Sequence, residues 1–399
     1  MRLNVLTRAV LAGAAVFSLG GGAFAQDARD FADKFAEAIR IMAAVDVQFG
    51  SATADGDTIV LSGISIPTLD SKRGAELLDR TLTFVGVTET PEGGYRAESA
   101  TFDDLDYTAE GVNLVVNNVV FTDIRIAAEP GADVLETMLL YQGLSAGPVS
   151  VTIGGDEVFA IDSITVDAEY DEAENTYLSS YAIDGIYGDL SKIEDRDATE
   201  FLDAFGLSQL NARLDGNAMW YLDDGRMDIS ESSVTIQNLG KLNFAVEIGG
   251  YTLELMEQIQ ETSQEMAKID PSSSEYEARS MQMMMGMVSG LTLNSASIRF
   301  DDDSLTTKFM EFVMEEEGIT RKEFISGVAN MAPQMLSMLG APALEAQISR
   351  AVVAYLKDPQ SFEISVNPDQ AVQFLVLAGG LANPAVAIEL LNLQVTANE

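Results

Sequence analysis

Hydrophobic and polar residues alternate along much of the chain, and residues 95–126 show this pattern most clearly. In that stretch Val112, Leu114 and Val116 share one parity, and acidic residues stand between many of the other hydrophobic positions. Short runs with a period of two, rich in β-branched and aromatic residues, predict strands that are buried on one face. Antiparallel sheets tolerate one apolar and one acidic face, because the second can remain in contact with water.

The same alternation continues from residue 51 to residue 250 and predicts an antiparallel β-rich region over 51–250. Its clearest hairpin joins alternating runs at 212–222 and 226–237 through an Asp-Gly pair that ends at Gly225, which is a strong turn signal. Within this region a short helix is predicted at residues 71–79.

Helical spacing appears on both sides of the β-rich region. Residues 26–50 place large hydrophobic side chains at helical intervals, with acidic residues between them, and predict an N-terminal amphipathic helix. Residues 251–399 predict an α-rich C-terminal region with a few strands. Within that region Pro271 separates two helices, and Thr320 with Glu323 forms a capping-box signature at the start of another helix.

A run of strands followed by a run of helices is typical of the α+β class. The sequence therefore predicts an α+β fold. We expect an extended, curved, mostly antiparallel β-sheet packed by helices, followed by the α-rich C-terminal region.

Residues 1–25 have the organisation of a signal peptide. Arg2 and Arg8 flank the start, an apolar core follows, and an Ala-Phe-Ala sequence ends at Ala25, which predicts cleavage before Gln26. The alternative is an N-terminal membrane anchor, but the apolar core is short for a bilayer-spanning helix and is followed by glycines. We expect an exported protein in the periplasm, with secretion as the alternative.

The charge is strongly acidic, with 63 Asp and Glu residues against 23 Lys and Arg residues and a formal net charge of −40. Such a chain should be repelled by nucleic acid and by anionic membrane surfaces, so we expect no nucleic-acid partner. The longest later apolar run, residues 371–382, is too short to cross a bilayer, so no transmembrane segment is expected in the mature chain.

Side chains that commonly carry catalysis are missing. The sequence has no histidine and no cysteine, which excludes Ser-His-Asp and Cys-His catalysis, disulfides, and zinc sites built on imidazole or thiolate. It also contains no P-loop and no nucleophile-elbow motif. The sequence therefore predicts a non-enzymatic protein without a cofactor. A hydrolase that uses paired carboxylates on glycosides remains an alternative.

Methionines crowd one predicted helix: Met281, Met283, Met284, Met285 and Met287. Methionine provides a flexible apolar surface, and the sequence nominates Met281, Met284 and Met285 as contacts for a hydrophobic ligand. Thioether sulfurs also select Cu(I), so a copper site is the alternative for a subset of them. Trp220 is most simply a core residue, and contact with a ligand is its second interpretation.

Asp301, Asp302 and Asp303 form an acidic triplet that nominates a calcium site. The spacing lacks the glycine and the terminal glutamate of an EF-hand loop. Capping of the next helix by Asp303 or Ser304 is the other interpretation of this triplet.

The strand-rich body resembles the large periplasmic β-sheet envelope proteins of proteobacteria, such as AsmA-like proteins and the YdgA-like family of unknown function. The residues that carry the resemblance are the glycine-containing strand segments at 63–66, 184–186 and 215–217. The resemblance implies an exported envelope protein and assigns no functional residue.

Three functional hypotheses follow. The first is a non-enzymatic envelope protein whose apolar sheet face holds a lipid-like ligand or a segment of an envelope partner. The second is an acidic structural or adhesive protein that binds calcium. The third is the carboxylate-dependent hydrolase.

Overall fold

A computed structural model describes residues 24–43, 45–67, 75–192, 202–203, 205–266, 269–270, 272–337, 340–380 and 384–399. The chain divides into two compact units, Met1–Tyr170 and Asp171–Glu399, here called unit 1 and unit 2. Nearly all of the predicted signal peptide lies outside the described residues. None of the described helices is both long and apolar enough to span a membrane.

Unit 1 is an antiparallel sheet covered by one long helix. Its elements are α1 (Phe24–Ala43), β1 (Gln48–Asp55), β2 (Thr58–Pro67), β3 (Ala75–Val85), β4 (Thr88–Glu89), β5 (Tyr95–Phe102), β6 (Leu105–Ala109), β7 (Val112–Val116), β8 (Val119–Ile126), α2 (Val134–Met138), β9 (Gly143–Ala146), β10 (Val149–Ile153), β11 (Asp156–Ile161) and β12 (Ser163–Asp171). The strands β1, β2, β3, β5, β8 and β9 pair in that order. Residues 95–126 are therefore strands, as predicted.

Helix α1 fills the apolar face of this sheet with aromatic rings. Phe31 has no exposed surface, and its ring lies edge-on at 4.7 Å from Phe84 and 5.2 Å from Tyr95. Phe35, one turn later, lies edge-on at 5.0 Å from Phe84. Burying a Phe side chain contributes roughly 1.5–3 kcal/mol, so this contact anchors the helix to the sheet.

Two helix predictions in this unit differ from the structure. The predicted helix at 71–79 is wrong where the segment is described, because β3 begins at Ala75 and pairs with β2. The helix predicted over residues 26–50 ends at Ala43, and β1 begins at Gln48 with Phe49 facing inward. In both places pairing with a neighbouring strand decides the conformation of a segment whose local pattern also fits a helix.

Unit 2 combines antiparallel strands with most of the described helices. Its elements are β13 (Thr176–Asp189), a short 3-10 turn (Leu190–Lys192), β14 (Gln209–Tyr221), β15 (Arg226–Ile236), β16 (Gly240–Gly249), α3 (Leu253–Met266), α4 (Ser274–Gly290), β17 (Thr292–Asp302), α5 (Leu305–Glu317), α6 (Arg321–Leu336), α7 (Pro342–Lys357), β18 (Ser361–Val366), β19 (Val372–Gln373), α8 (Phe374–Gly380), α9 (Pro384–Leu391) and β20 (Leu393–Ala397). The strands from β13 to β18 pair in sequence order, and β20 pairs with β18. The antiparallel sheet and the C-terminal helices confirm the predicted α+β class.

Candidate functional site

The sheet of unit 2 has two chemically different faces, because directly opposed residues on antiparallel strands point to the same side. On one face, Leu242, Phe300 and Phe362 stand opposite one another on β16, β17 and β18. On the other face, charged residues are opposed, as Arg299 is to Glu363. We therefore expect the face that carries Leu242, Phe300 and Phe362 to be buried.

The middle of the apolar face is nevertheless open. One line of opposed residues crosses six strands from β13 to β18: Tyr181, Gly216, Ser232, Phe244, Ile298 and Ile364. We call its four large hydrophobic members, Tyr181, Phe244, Ile298 and Ile364, the apolar row. Their exposed fractions are 38, 40, 46 and 42%. With neighbouring strands about 4.8 Å apart, the line crosses roughly 24 Å of sheet.

The ring of Tyr181 bridges the strand that carries Gly216. A Cβ atom on Gly216 would lie only 2.7 Å from the Tyr181 ring, so glycine is needed for this close approach. The Tyr181 hydroxyl then lies 3.0 Å from the Ser232 hydroxyl, and the two can hydrogen-bond. Because these two hydroxyls are hydrogen-bonded to each other, the exposed surface of the line consists mainly of hydrocarbon and aromatic rings.

The apolar face is covered in two places next to the apolar row. Across the strands, β20 places Val395 opposite Ile364, and helix α7 packs Leu344 and Ala351 against Val395, which is 4% exposed. Along the strands, Trp220 is 2% exposed and stands on the same face of β14 as Gly216. The apolar row is therefore an open surface that borders the core on two sides.

Trp220 itself belongs to the core of unit 2. Its indole N–H donates a hydrogen bond to the main-chain oxygen of Tyr251 at 2.6 Å, and the two rings meet edge-to-face at 5.5 Å. The buried ring has almost no surface to offer a ligand, so the structure favours the core interpretation of this residue.

The three nominated methionines lie on α4 and are exposed. Met281, Met284 and Met285 have exposed fractions of 63, 51 and 48%. Their spacing of three and four residues places them on adjacent turns of one side of the helix. They form a flexible apolar surface, and their contact with a ligand stays a prediction.

The three aspartates do not converge on a common point. Asp301 accepts a hydrogen bond from Arg299 at 2.9 Å, and Asp302 accepts one from the backbone N–H of Thr306 at 2.9 Å. Asp303 is exposed. Within the described parts of the chain, no group of three or more His, Cys, Asp or Glu side chains could hold a metal ion.

The opposite face of the sheet carries ion pairs and the buried hydroxyl of Ser233. Ser233, 1% exposed, donates a hydrogen bond to Asp215 at 3.0 Å, and Arg213 donates another at 2.8 Å. Partial burial by itself would raise the pKa of Asp215. Hydrogen bonds from Arg213 and Ser233, together with the charges of Arg213 and Lys241, instead hold that pKa below its usual value.

The sequence predicted strands in unit 2 but did not identify the apolar row as a candidate site. The available signal was a hydrophobic residue between polar neighbours: Ile298 follows Ser297 and precedes Arg299, and Ile364 lies between Glu363 and Ser365. This signal identifies the face of each strand. It does not reveal which residues are opposed across strands or which of them the helices leave uncovered.

Comparison with known proteins adds one match. A family model described as "Uncharacterized protein" matches residues 233–398, which is less than half of the chain. The matched stretch contains Phe244, Ile298 and Ile364, while Tyr181 lies before it. No curated protein matches the chain.

Proposed function

We propose that the protein is a non-enzymatic component of the cell envelope and that unit 2 binds the acyl chains of an uncharged or zwitterionic lipid on the apolar row. The observation that carries the proposal is the exposure of Tyr181, Phe244, Ile298 and Ile364 on one line of a sheet face. Contiguous exposed apolar surface of this kind marks binding sites in water-soluble proteins.

The size of the surface suits hydrocarbon chains. Half a bilayer core is roughly 15 Å thick, and the line of opposed residues crosses about 24 Å, so it is long enough for an acyl chain. Covering the exposed part of each large side chain contributes about 1 kcal/mol. The four members together contribute about 4 kcal/mol, and burial of the acyl chain itself adds to this free energy.

The charge of the protein selects among lipids. The four side chains of the apolar row carry no charge, and the whole chain has a formal net charge of −40. An anionic headgroup would be repelled by this field, whereas an uncharged or zwitterionic headgroup would not. A hydrophobic segment of an envelope protein is the competing occupant, and the mass of the bound species distinguishes the two.

Native mass spectrometry of the full-length protein tests the proposal. We expect a bound species with the mass of a lipid in the unmodified protein, and its loss in Ile298→Asp, which places a charge at the centre of the apolar row. The matched control is Ser297→Asp, which adds the same charge to the opposite face of the same strand. A protein-sized or absent bound species, or equal loss in the control, contradicts lipid binding.

Export is the second part of the proposal, supported by the pattern of residues 1–25. We expect the protein recovered from the periplasmic fraction of an expressing Gram-negative cell to begin at Gln26. N-terminal sequencing measures this directly. Recovery only from the cytoplasm, or with Met1 retained, contradicts export through this leader.

A further inference from the structure

Unit 1 contains an apolar cavity beside the C-terminal end of α1. Its volume is about 250 Å³. Its lining includes the side chains of Phe35, Ile39, Met42, Phe84, Phe121 and Tyr141. They come from α1, from the strands β3 and β8, and from the segment after α2, so the fold brings distant parts of unit 1 to one point.

The cavity has a closed floor and an accessible mouth. Phe84 has no exposed surface, and Ala100 and Ile124, which also line it, are 1% exposed. Met42, in the last turn of α1, is 42% exposed. Methionine is a flexible side chain that adjusts to different shapes, so its position near the mouth permits entry of a small molecule.

The volume is sufficient for a ligand with rings. An engineered apolar cavity of roughly 150 Å³ stays dry and binds benzene. A cavity of about 250 Å³ therefore has room for more than one benzene ring. Water would find few partners in it, because nearly all of the lining is hydrocarbon.

Aromatic edges and faces dominate the lining. Phe35 meets Phe84 edge-to-face at 5.0 Å, and Phe121 meets Tyr141 edge-to-face at 5.3 Å. Rings that pack in this way attract a further ring in the same geometry. The chemistry of the walls thus favours an aromatic ligand.

Among the described lining side chains, Tyr141 carries the one hydroxyl. Within the described part of the chain this hydroxyl makes no hydrogen bond, and burial raises the pKa of Tyr141. The hydroxyl is therefore protonated at neutral pH and can donate one hydrogen bond to a ligand. None of the described side chains that line the cavity is cationic, so an anionic group would meet no counter-charge among them.

We propose that this cavity is a binding site for a neutral molecule with one or two aromatic rings and a single hydrogen-bonding group, held by ring contacts and by the Tyr141 hydroxyl. The site lies in unit 1 and is independent of the lipid surface proposed for unit 2.

Isothermal titration calorimetry of the full-length protein with naphthol tests the site. We expect saturable binding of one naphthol per chain at about pH 7. Ionised naphthoate should bind at least tenfold more weakly, because its charge has no partner in the cavity. Tyr141→Phe should weaken naphthol binding severalfold and leave naphthalene binding unchanged.

Two filling variants locate the ligand. Ala100→Leu fills the floor, and Met42→Trp fills the mouth at an exposed position that tolerates a larger side chain. Each should weaken naphthol binding at least tenfold. Met281→Trp in unit 2 is the matched control and should bind as the unmodified protein does, as should Ile298→Asp. Absence of saturable naphthol binding, or unchanged binding in the folded Met42→Trp variant, overturns the proposal.

Discussion

Ser233 is a buried side chain on a sheet face that is otherwise in contact with water. Its neighbours on β15 are partly exposed, yet it is 1% exposed and directs its hydroxyl to Asp215. A buried hydroxyl without a partner would cost free energy, so the carboxylate and the serine stabilise each other. Alternation along the strand assigns Ser233 to the polar face and gives no indication that it is buried.

Replacing Ser233 with alanine should lower the free energy of unfolding by about 1–2 kcal/mol at neutral pH, because Asp215 loses a donor while it remains partly buried. The pKa of Asp215 is lowered in the folded state, so its stabilising contribution is present above the unfolded pKa of about 3.9. That contribution is lost as the pH falls through the folded pKa, below 3.9.

Urea unfolding of the unmodified protein and Ser233→Ala at about pH 7 and about pH 3 measures this effect. The difference in the free energy of unfolding between the two proteins should be large at about pH 7 and smaller at about pH 3. Ser297→Ala, on the same face of β17, provides the control and should show a small difference at both values. A Ser233→Ala difference that does not change with pH contradicts the assignment.

The N-termini of two helices show that local sequence predicts the capping residues in one case and not in the other. The capping box at α6 is formed as predicted: Thr320 accepts from the backbone N–H of Glu323, and Glu323 accepts from the backbone N–H of Thr320. At α5 the N-cap is Ser304, but its hydroxyl donates to the main-chain oxygen of Asn238. Instead, the side chain of Asp302, the last residue of β17, accepts a hydrogen bond from the backbone N–H of Thr306 in the first turn of α5.

The substitution Asp302→Ala should therefore destabilise the protein by about 1 kcal/mol, since it removes the side-chain acceptor at the start of α5. Asp303→Ala, one position later and exposed, should change stability by less than about 0.5 kcal/mol. Thermal unfolding followed by circular dichroism compares the two variants. A larger effect from Asp303→Ala than from Asp302→Ala would contradict the capping role of Asp302.

At the scale of the whole molecule, acidic charge is the dominant electrostatic feature. With 63 acidic residues against 23 basic ones, most carboxylates cannot have their own cationic partner. The described residues also contain no carboxylate cluster suited to a metal ion. Mutual repulsion of these charges should destabilise the compact state at low ionic strength.

Calcium and magnesium, compared at equal ionic strength, should raise the melting temperature by similar amounts, because both act by screening. Differential scanning calorimetry with each ion measures this, and sodium chloride at matched ionic strength is the control. A shift produced by calcium and not by magnesium would instead support the acidic calcium-binding hypothesis and the triplet Asp301, Asp302 and Asp303 as its site.

Much of the fold was accessible from sequence because it depends on local periodicity. The strands over 95–126, the hairpin that turns at Gly225 and the capping box at Thr320 all follow from patterns a few residues long. The segment from Ala75 was predicted wrongly because its conformation is decided by pairing with β2. The nominated site residues were chosen by composition, which identified exposed methionines on α4 and also nominated the buried Trp220.

Alternation is a property of consecutive residues, so the sequence alone predicts strands with one hydrophobic and one polar side. Which of the hydrophobic positions are covered follows from the three-dimensional packing of the chain. In unit 1, helix α1 covers the apolar face of the sheet and leaves a cavity beside its C-terminal end. In unit 2, the large side chains on the line from Tyr181 to Ile364 remain exposed to solvent. Coverage depends on strand register and on the packing of distant helices, and neither is encoded in the spacing of residues along one strand.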